Sequence, residues 1–178
     1  MKEIIRTLTQ YPIKGTKKVV YLAALIAIGV VLNLVEPMQI FPLLPGAKLG
    51  LANISSLLAI LLFGGMNGVL VAAIRTVVSA VIRGSLNWVS FGTSFFGGVS
   101  AALVMAIFYR LFGKKLSIEG LSALGGIANN VVQVLFVYLV TKNTLFLYYA
   151  LFLIPIGGVA GFIIGILAHI IYNRLAKT

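Results

Sequence analysis

The residues best suited to chemistry are a few cations and amides that interrupt apolar stretches. Arg75 lies near the middle of GVLVAAIRTVVSAVI, where a charge in lipid costs at least about 2.5–3.5 kcal/mol. It therefore needs a partner or a wet cavity. The planar guanidinium suits phosphate or carboxylate, so Arg75 is a candidate anion-binding residue. A structural ion pair with Glu36 is the alternative. The two roles are compatible if an arriving substrate displaces Glu36 from Arg75.

Two further cations, Lys48 and Arg83, lie with Arg75 in the outer half of the predicted fold. Arg83 follows Arg75 by eight positions, about 80° around a helix, so both side chains can edge one cavity. The excess of positive charge favours an acidic or phosphorylated ligand. For Lys48 and Arg83 taken singly, the alternative is snorkelling, in which the charged head reaches the lipid headgroups.

Amides form the second polar group. Asn129 and Gln133 are four positions apart and share a helix face, and Asn130 lies about 100° away. Asn53 stands at the start of another apolar run. These amides either make interhelical hydrogen bonds, worth about 1 kcal/mol each, or orient a ligand in a pocket. The sequence leaves both interpretations open. His169 has no partner ligand in the sequence and is interpreted as structural.

The acidic inventory excludes several kinds of site. The chain has three acidic residues, all glutamates, and no cysteine. Paired-carboxylate catalysis, carboxylate-held Mg²⁺ and thiolate metal sites therefore have almost no ligands. We expect no metal or other cofactor and no enzymatic activity. No P-loop is present, so an ATP-driven cycle needs partner proteins. The net charge is +11, and the basic residues responsible for it flank the apolar runs and do not form a stripe along one face. We therefore expect no nucleic-acid partner.

The elements that position these residues are predicted to be membrane-spanning helices. The chain is 61% hydrophobic and 10% charged, against about 25% charged residues in soluble domains. The predicted fold is all-α, a polytopic membrane protein with a single membrane domain over residues 1–178. Six spans are predicted, over residues 19–35, 49–63, 66–82, 86–112, 121–140 and 145–172.

The basic residues predict the orientation. One side carries ten of them: Lys2, Arg6, Lys14, Lys17, Lys18, Arg110, Lys114, Lys115, Arg174 and Lys177. The positive-inside rule makes that side, with both termini, cytoplasmic. Residues 1–18 form a basic leader. Residues 36–48 form an outer loop stiffened by prolines, which predicts a lid over an outward-facing chamber for a small acid. An interfacial loop in the headgroups is the alternative.

Three blocks occur in order along the chain: PGAKLGLANI, AAIRTVVSAVIRG and NNVVQ. With them the sequence resembles the heptaprenyl diphosphate synthase component I family, also called Gx transporters. That family is similar to the substrate-binding S components of energy-coupling factor (ECF) transporters. The resemblance covers about residues 18–172. One difference is Asn129-Asn130, where the family is expected to carry histidine followed by asparagine.

The resemblance implies a transport function. It implies an S component of the cell membrane that binds a nutrient, or an isoprenoid or quinone precursor, beneath its first loop. That component docks on a transmembrane coupling subunit driven by two ATPase subunits. Ala23 and Ala27 match the alanine-xxx-alanine motif of that docking contact. The family's name implies the alternative, a noncatalytic membrane subunit or partner of a heptaprenyl diphosphate synthase. This chain lacks the aspartates with which such a synthase holds Mg²⁺.

Overall fold

A computed structural model describes residues 15–36, 50–84, 87–113 and 115–175. Within these ranges the chain folds as helices joined by short connections. The helices are α1 Thr16–Val35, α2 Asn53–Phe63, α3 Gly65–Arg83, α4 Trp88–Phe112, α5 Ile118–Thr141 and α6 Leu145–Leu175. The all-α prediction is confirmed.

Five of the helices, α1 and α3 to α6, are long and apolar enough to cross a membrane. Many of their large apolar side chains are exposed, as expected of surfaces that face lipid. Helix α2 differs because it has 11 residues, about 16 Å of helix against a hydrocarbon core of about 30 Å. The predicted second span therefore starts too early. Gly50, with φ of 90°, is not helical, and its carbonyl accepts a hydrogen bond from Asn53 N at 2.8 Å in the turn that begins α2.

Helix α2 is the centre of the bundle. It contacts each of the other five helices, and its residues from Asn53 to Ile60 are all buried. A helix enclosed by protein does not need to match the thickness of the bilayer, because its ends meet other helices instead of lipid. It turns directly into α3 at Gly64, whose φ is 92°. The polar residues at the start of α2 are therefore held inside the bundle.

Helices α5 and α6 pack with their backbones in contact. A Cβ added to Gly161 would lie 2.5 Å from the carbonyl oxygen of Ser122, and one added to Gly165 would lie 2.5 Å from Glu119 Cα. Glycine at these positions lets two helices approach closely, as is common in membrane helix pairs. This contact fixes the face of α5 that carries its amides relative to α6.

Several predicted features fall outside the described residues. They are Lys48, residues 37–48 of the predicted lid and residues 1–14 of the predicted leader. The orientation of the termini, the exact number of spans and the single domain over 1–178 stay predictions.

Candidate ligand-binding site

Arg75 is the central residue of the site. It lies midway along α3 and is 3% exposed. Its Nη2 donates to Asn53 Oδ1 at 2.7 Å, and its Nε donates to Ser56 Oγ at 3.4 Å. Both acceptors lie on the first turn of α2. The central helix therefore supplies neutral acceptors to a buried cation, which reduces the cost of its burial.

Glu36 supplies a negative charge to the same site. It follows the last residue of α1 and is 2% exposed. Its Oε1 accepts a hydrogen bond from Gly50 N at 2.6 Å. The carboxylate also attracts the Arg75 guanidinium electrostatically. The two buried charges attract each other, and the structural ion pair between Arg75 and Glu36 stays a prediction.

Glycines on two helices make room for the arginine. A Cβ on Gly29 of α1 would lie 2.7 Å from Arg75 Cδ, and one on Gly98 of α4 would lie 3.2 Å from Arg75 Nη2. Larger residues at either position would displace the side chain. The guanidinium thus lies between α1, α2 and α4, in a space that depends on small residues.

The three amides of α5 separate into two roles. Asn130 Nδ2 donates to the Leu153 carbonyl of α6 at 2.6 Å, and its Oδ1 accepts from Asn129 Nδ2 at 3.2 Å. This arrangement matches the interhelical interpretation for Asn130. Asn129 and Gln133 instead face α4, where a Cβ on Gly97 would lie 2.9 Å from Asn129 Oδ1 and 2.8 Å from Gln133 Cγ.

These side chains surround a small cavity of about 10 Å³, close to the space of one water molecule. Its lining residues come from five helices and the turn before α2: Asn33, Glu36, Gly50, Ala52, Asn53, Arg75, Ser94, Gly98, Asn129 and Gln133. The predicted grouping of Arg75 with Asn53, Asn129 and Gln133 is therefore observed. The predicted chamber is not open among these residues, because their polar groups lie close enough to bond one another.

Arg83 contacts Asn33, one of the residues that line this cavity, but is not itself among the described lining residues. Its Nη2 donates to the Asn33 carbonyl near the end of α1. A cation at this position is favoured because the carboxyl end of a helix carries partial negative charge. The expectation that Arg75 and Arg83 edge one cavity stays a prediction. The role predicted for Lys48 lies outside the described residues.

Ser56, which with Asn53 and Ser55 makes the start of the second predicted span polar, accepts a hydrogen bond from Arg75. The sequence interpretation missed one pairing elsewhere in the structure. His169 Nδ1 lies 2.5 Å from Glu119 Oε1. Those two residues are 50 positions apart, near the facing ends of antiparallel neighbours α5 and α6. The order of the helices was the signal that could have paired them.

Comparison with known proteins places this arrangement in a family. The sequence matches the family described as heptaprenyl diphosphate synthase component I over residues 25–171. The chain belongs to that family. The match includes every described residue of the Arg75 site. No curated protein matches the sequence.

The fold of this chain is similar to a solved structure described as the S component of a bacterial ECF transporter. The TM-score is 0.64 and the sequence identity is 25%. The similarity covers 92% of this chain and 98% of the solved one. With its long apolar helices, the chain is a multi-pass helical membrane protein.

Proposed function

We propose that the chain is the substrate-binding S component of an ECF-type uptake transporter in the cell membrane. The observation that carries this proposal is the extent of the structural similarity, which includes nearly the whole of both chains. A shared bundle of that extent favours a shared role more strongly than a shared pair of helices would. The proposed role is binding and transport, without catalysis.

The proposed ligand is a small anionic nutrient, or an isoprenoid or quinone precursor. Arg75 is the group that favours an anion, because it is a buried cation whose hydrogen-bond acceptors on α2 are neutral. Asn53, Asn129 and Gln133 are placed to orient the ligand. A molecule larger than water enters only if these groups separate, so the guanidinium exchanges Asn53 for an acceptor on the ligand. Lys48 is proposed to contribute from the lid.

The proposed partners are a transmembrane coupling subunit and two ATPase subunits. Ala23 and Ala27 are exposed on the surface of α1, where a partner can reach them. They stand four positions apart, so they form one patch of small side chains on which another helix can pack closely. Docking at this patch leaves the Arg75 site, which faces the bundle interior, free for the ligand.

The test is affinity purification of the full chain from its native membrane, with the captured proteins identified by mass spectrometry. We expect a membrane subunit and two ATPases. Replacing Ala23 and Ala27 together by leucine should abolish their capture, because larger side chains prevent close packing. Leucine at exposed Ile28 and Val35 is the matched control, since both positions lie about 80° or more around α1 from the patch. If the leucine replacements leave capture of the partners unchanged, Ala23 and Ala27 do not form the docking contact.

The alternative function is a noncatalytic membrane subunit or partner of a heptaprenyl diphosphate synthase. The name of the matched family favours it. The same purification separates the two functions. A soluble prenyl synthase captured in place of the ATPases would support the synthase partnership and contradict transport.

A further inference from the structure

A groove between α3 and α4 lies far from the Arg75 site, at the end of the bundle where α3 begins and α4 ends. Its volume is about 490 Å³, within the range of small-molecule sites. Its lining includes Met66, Val69, Leu103, Ile107, Tyr109 and Arg110. At its floor the two helices touch, because a Cβ on Gly65 would lie 2.8 Å from Ala106 Cβ.

The groove is apolar along most of its length and carries a positive charge at one end. Met66 is 80% exposed and Ile107 is 52% exposed, so apolar side chains remain uncovered on its walls. Arg110 lies at the end of α4 and is also exposed. The groove therefore has an apolar body and one cationic end.

Arg110 has no carboxylate partner in the part of the chain that the structure describes. The carboxylates there are Glu36, which bonds Gly50 at the other end of the bundle, and Glu119, which bonds His169. The nearby Lys115, exposed in the connection that leads to α5, adds a second positive charge. An anion from outside the chain is the group that complements this end.

We propose that the groove binds an anionic phospholipid of the leaflet that contains Arg110. Its phosphate contacts the Arg110 guanidinium, and an acyl chain lies along the apolar walls. The choice of a lipid rests on two observations: the groove opens on the surface of a membrane-spanning bundle, and its charge lies at one end of an apolar slot. Basic pockets between helices bind anionic headgroups for the same reason. The proposal is independent of the ligand at Arg75.

The test uses the full chain purified in detergent and analysed by native mass spectrometry after addition of phosphatidylglycerol or phosphatidylcholine with identical acyl chains. We expect phosphatidylglycerol to bind more tightly. Arg110→Gln should weaken its binding about fivefold, the factor expected for one basic residue near an anionic headgroup. Lys142→Gln, at the opposite end of the bundle, is the charge-matched control and should leave binding unchanged.

A second variant tests the apolar walls. Leu103→Trp fills the groove from a position that is 43% exposed, so it should fold normally and weaken both lipids. Soluble glycerol 3-phosphate, which has the phosphate without acyl chains, should not displace the lipid. Equal binding of the two lipids, equal effects of Arg110→Gln and Lys142→Gln, or displacement by glycerol 3-phosphate would overturn the proposal. A dimer that Leu103→Trp converts to monomer would also overturn it, because a second copy would then cover the groove.

Discussion

The carboxylate of Glu36 accepts a hydrogen bond from the backbone N–H of Gly50 at 2.6 Å, across 14 positions of the chain. The bond joins the end of α1 to the turn that begins α2. Glu36 and Gly50, which stand on either side of residues 37–49 in the chain, are therefore held together. Because Glu36 also attracts Arg75, the same carboxylate links this contact to the candidate site.

Removing the Glu36 charge should destabilise the bundle. Glu36→Ala leaves Arg75 and the Gly50 N–H without their acidic partner, and loss of one member of a buried charge pair costs about 3–5 kcal/mol. Glu36→Gln keeps an oxygen for Gly50 and should cost less, about 1–3 kcal/mol. Thermal unfolding in detergent measures both.

The control for this comparison is Glu119→Gln. Glu119 pairs with His169 at the opposite end of the bundle, where the two side chains are 18% and 35% exposed. A partly exposed pair contributes less, about 0.2–1 kcal/mol. If Glu36→Ala unfolds no earlier than Glu119→Gln, the Glu36 carboxylate does not hold the site together.

Arg75→Met should weaken binding of the small molecule that purifies with the protein by a factor of about 10 to 100. That range corresponds to a lost hydrogen bond to a charged group, worth about 1.5–3 kcal/mol. Arg75→Lys keeps the charge and loses the planar fork, so it should retain part of the binding. Native mass spectrometry of the purified chain measures occupancy.

Ser56→Ala is the matched variant for Arg75, because it removes the acceptor of the Arg75 Nε bond without removing the cation or a residue that lines the cavity. It should lower stability more than it lowers occupancy. If Arg75→Met and Ser56→Ala lose stability and occupancy in the same proportion, Arg75 serves as a structural pin between α2 and α3.

Asn130 and its neighbour Asn129 should give opposite phenotypes. Asn130→Ala removes the bond to the Leu153 carbonyl and should destabilise the α5–α6 pair by about 0.6–1.7 kcal/mol, the range for interhelical hydrogen bonds in membranes. Its ligand occupancy should change little, since the described cavity lining does not include it. Asn129→Ala should reduce occupancy instead. Thermal unfolding and native mass spectrometry on the same samples separate the two, and a larger occupancy loss in Asn130→Ala would contradict this division.

Gly161→Ala should destabilise the protein by about 1–3 kcal/mol, because the new methyl group meets the Ser122 carbonyl at 2.5 Å and the backbones must move apart. Gly158→Ala is a control three positions away on α6. There the new methyl group meets only the side chain of Ile127, at 3.4 Å. This control should be neutral or stabilising by about 0.5–1 kcal/mol, because alanine is the better helix former. Equal effects would mean that close packing at Gly161 is unimportant.

The sequence was sufficient for the membrane environment and for most of the helices. Long apolar runs form helices in lipid, because a helix satisfies its backbone polar groups with its own hydrogen bonds. The interiors of α1 and α3 to α6 were therefore predictable. Helix ends were less so: α5 starts at Ile118 because the Ser117 side chain accepts from Gly120 N, a local bond that hydropathy does not report.

The residue types alone also identified the polar side chains that need partners inside the membrane, because a buried arginine or amide in lipid must form hydrogen bonds wherever it lies. Only the tertiary structure decided what those partners are. It placed α2 at the centre of the bundle, brought Arg75 to Asn53 and Ser56, and directed Arg83 to α1. Such pairings join residues far apart in the chain. They depend on how closely glycine-bearing helix faces approach, and periodicity within one helix carries no information about that distance.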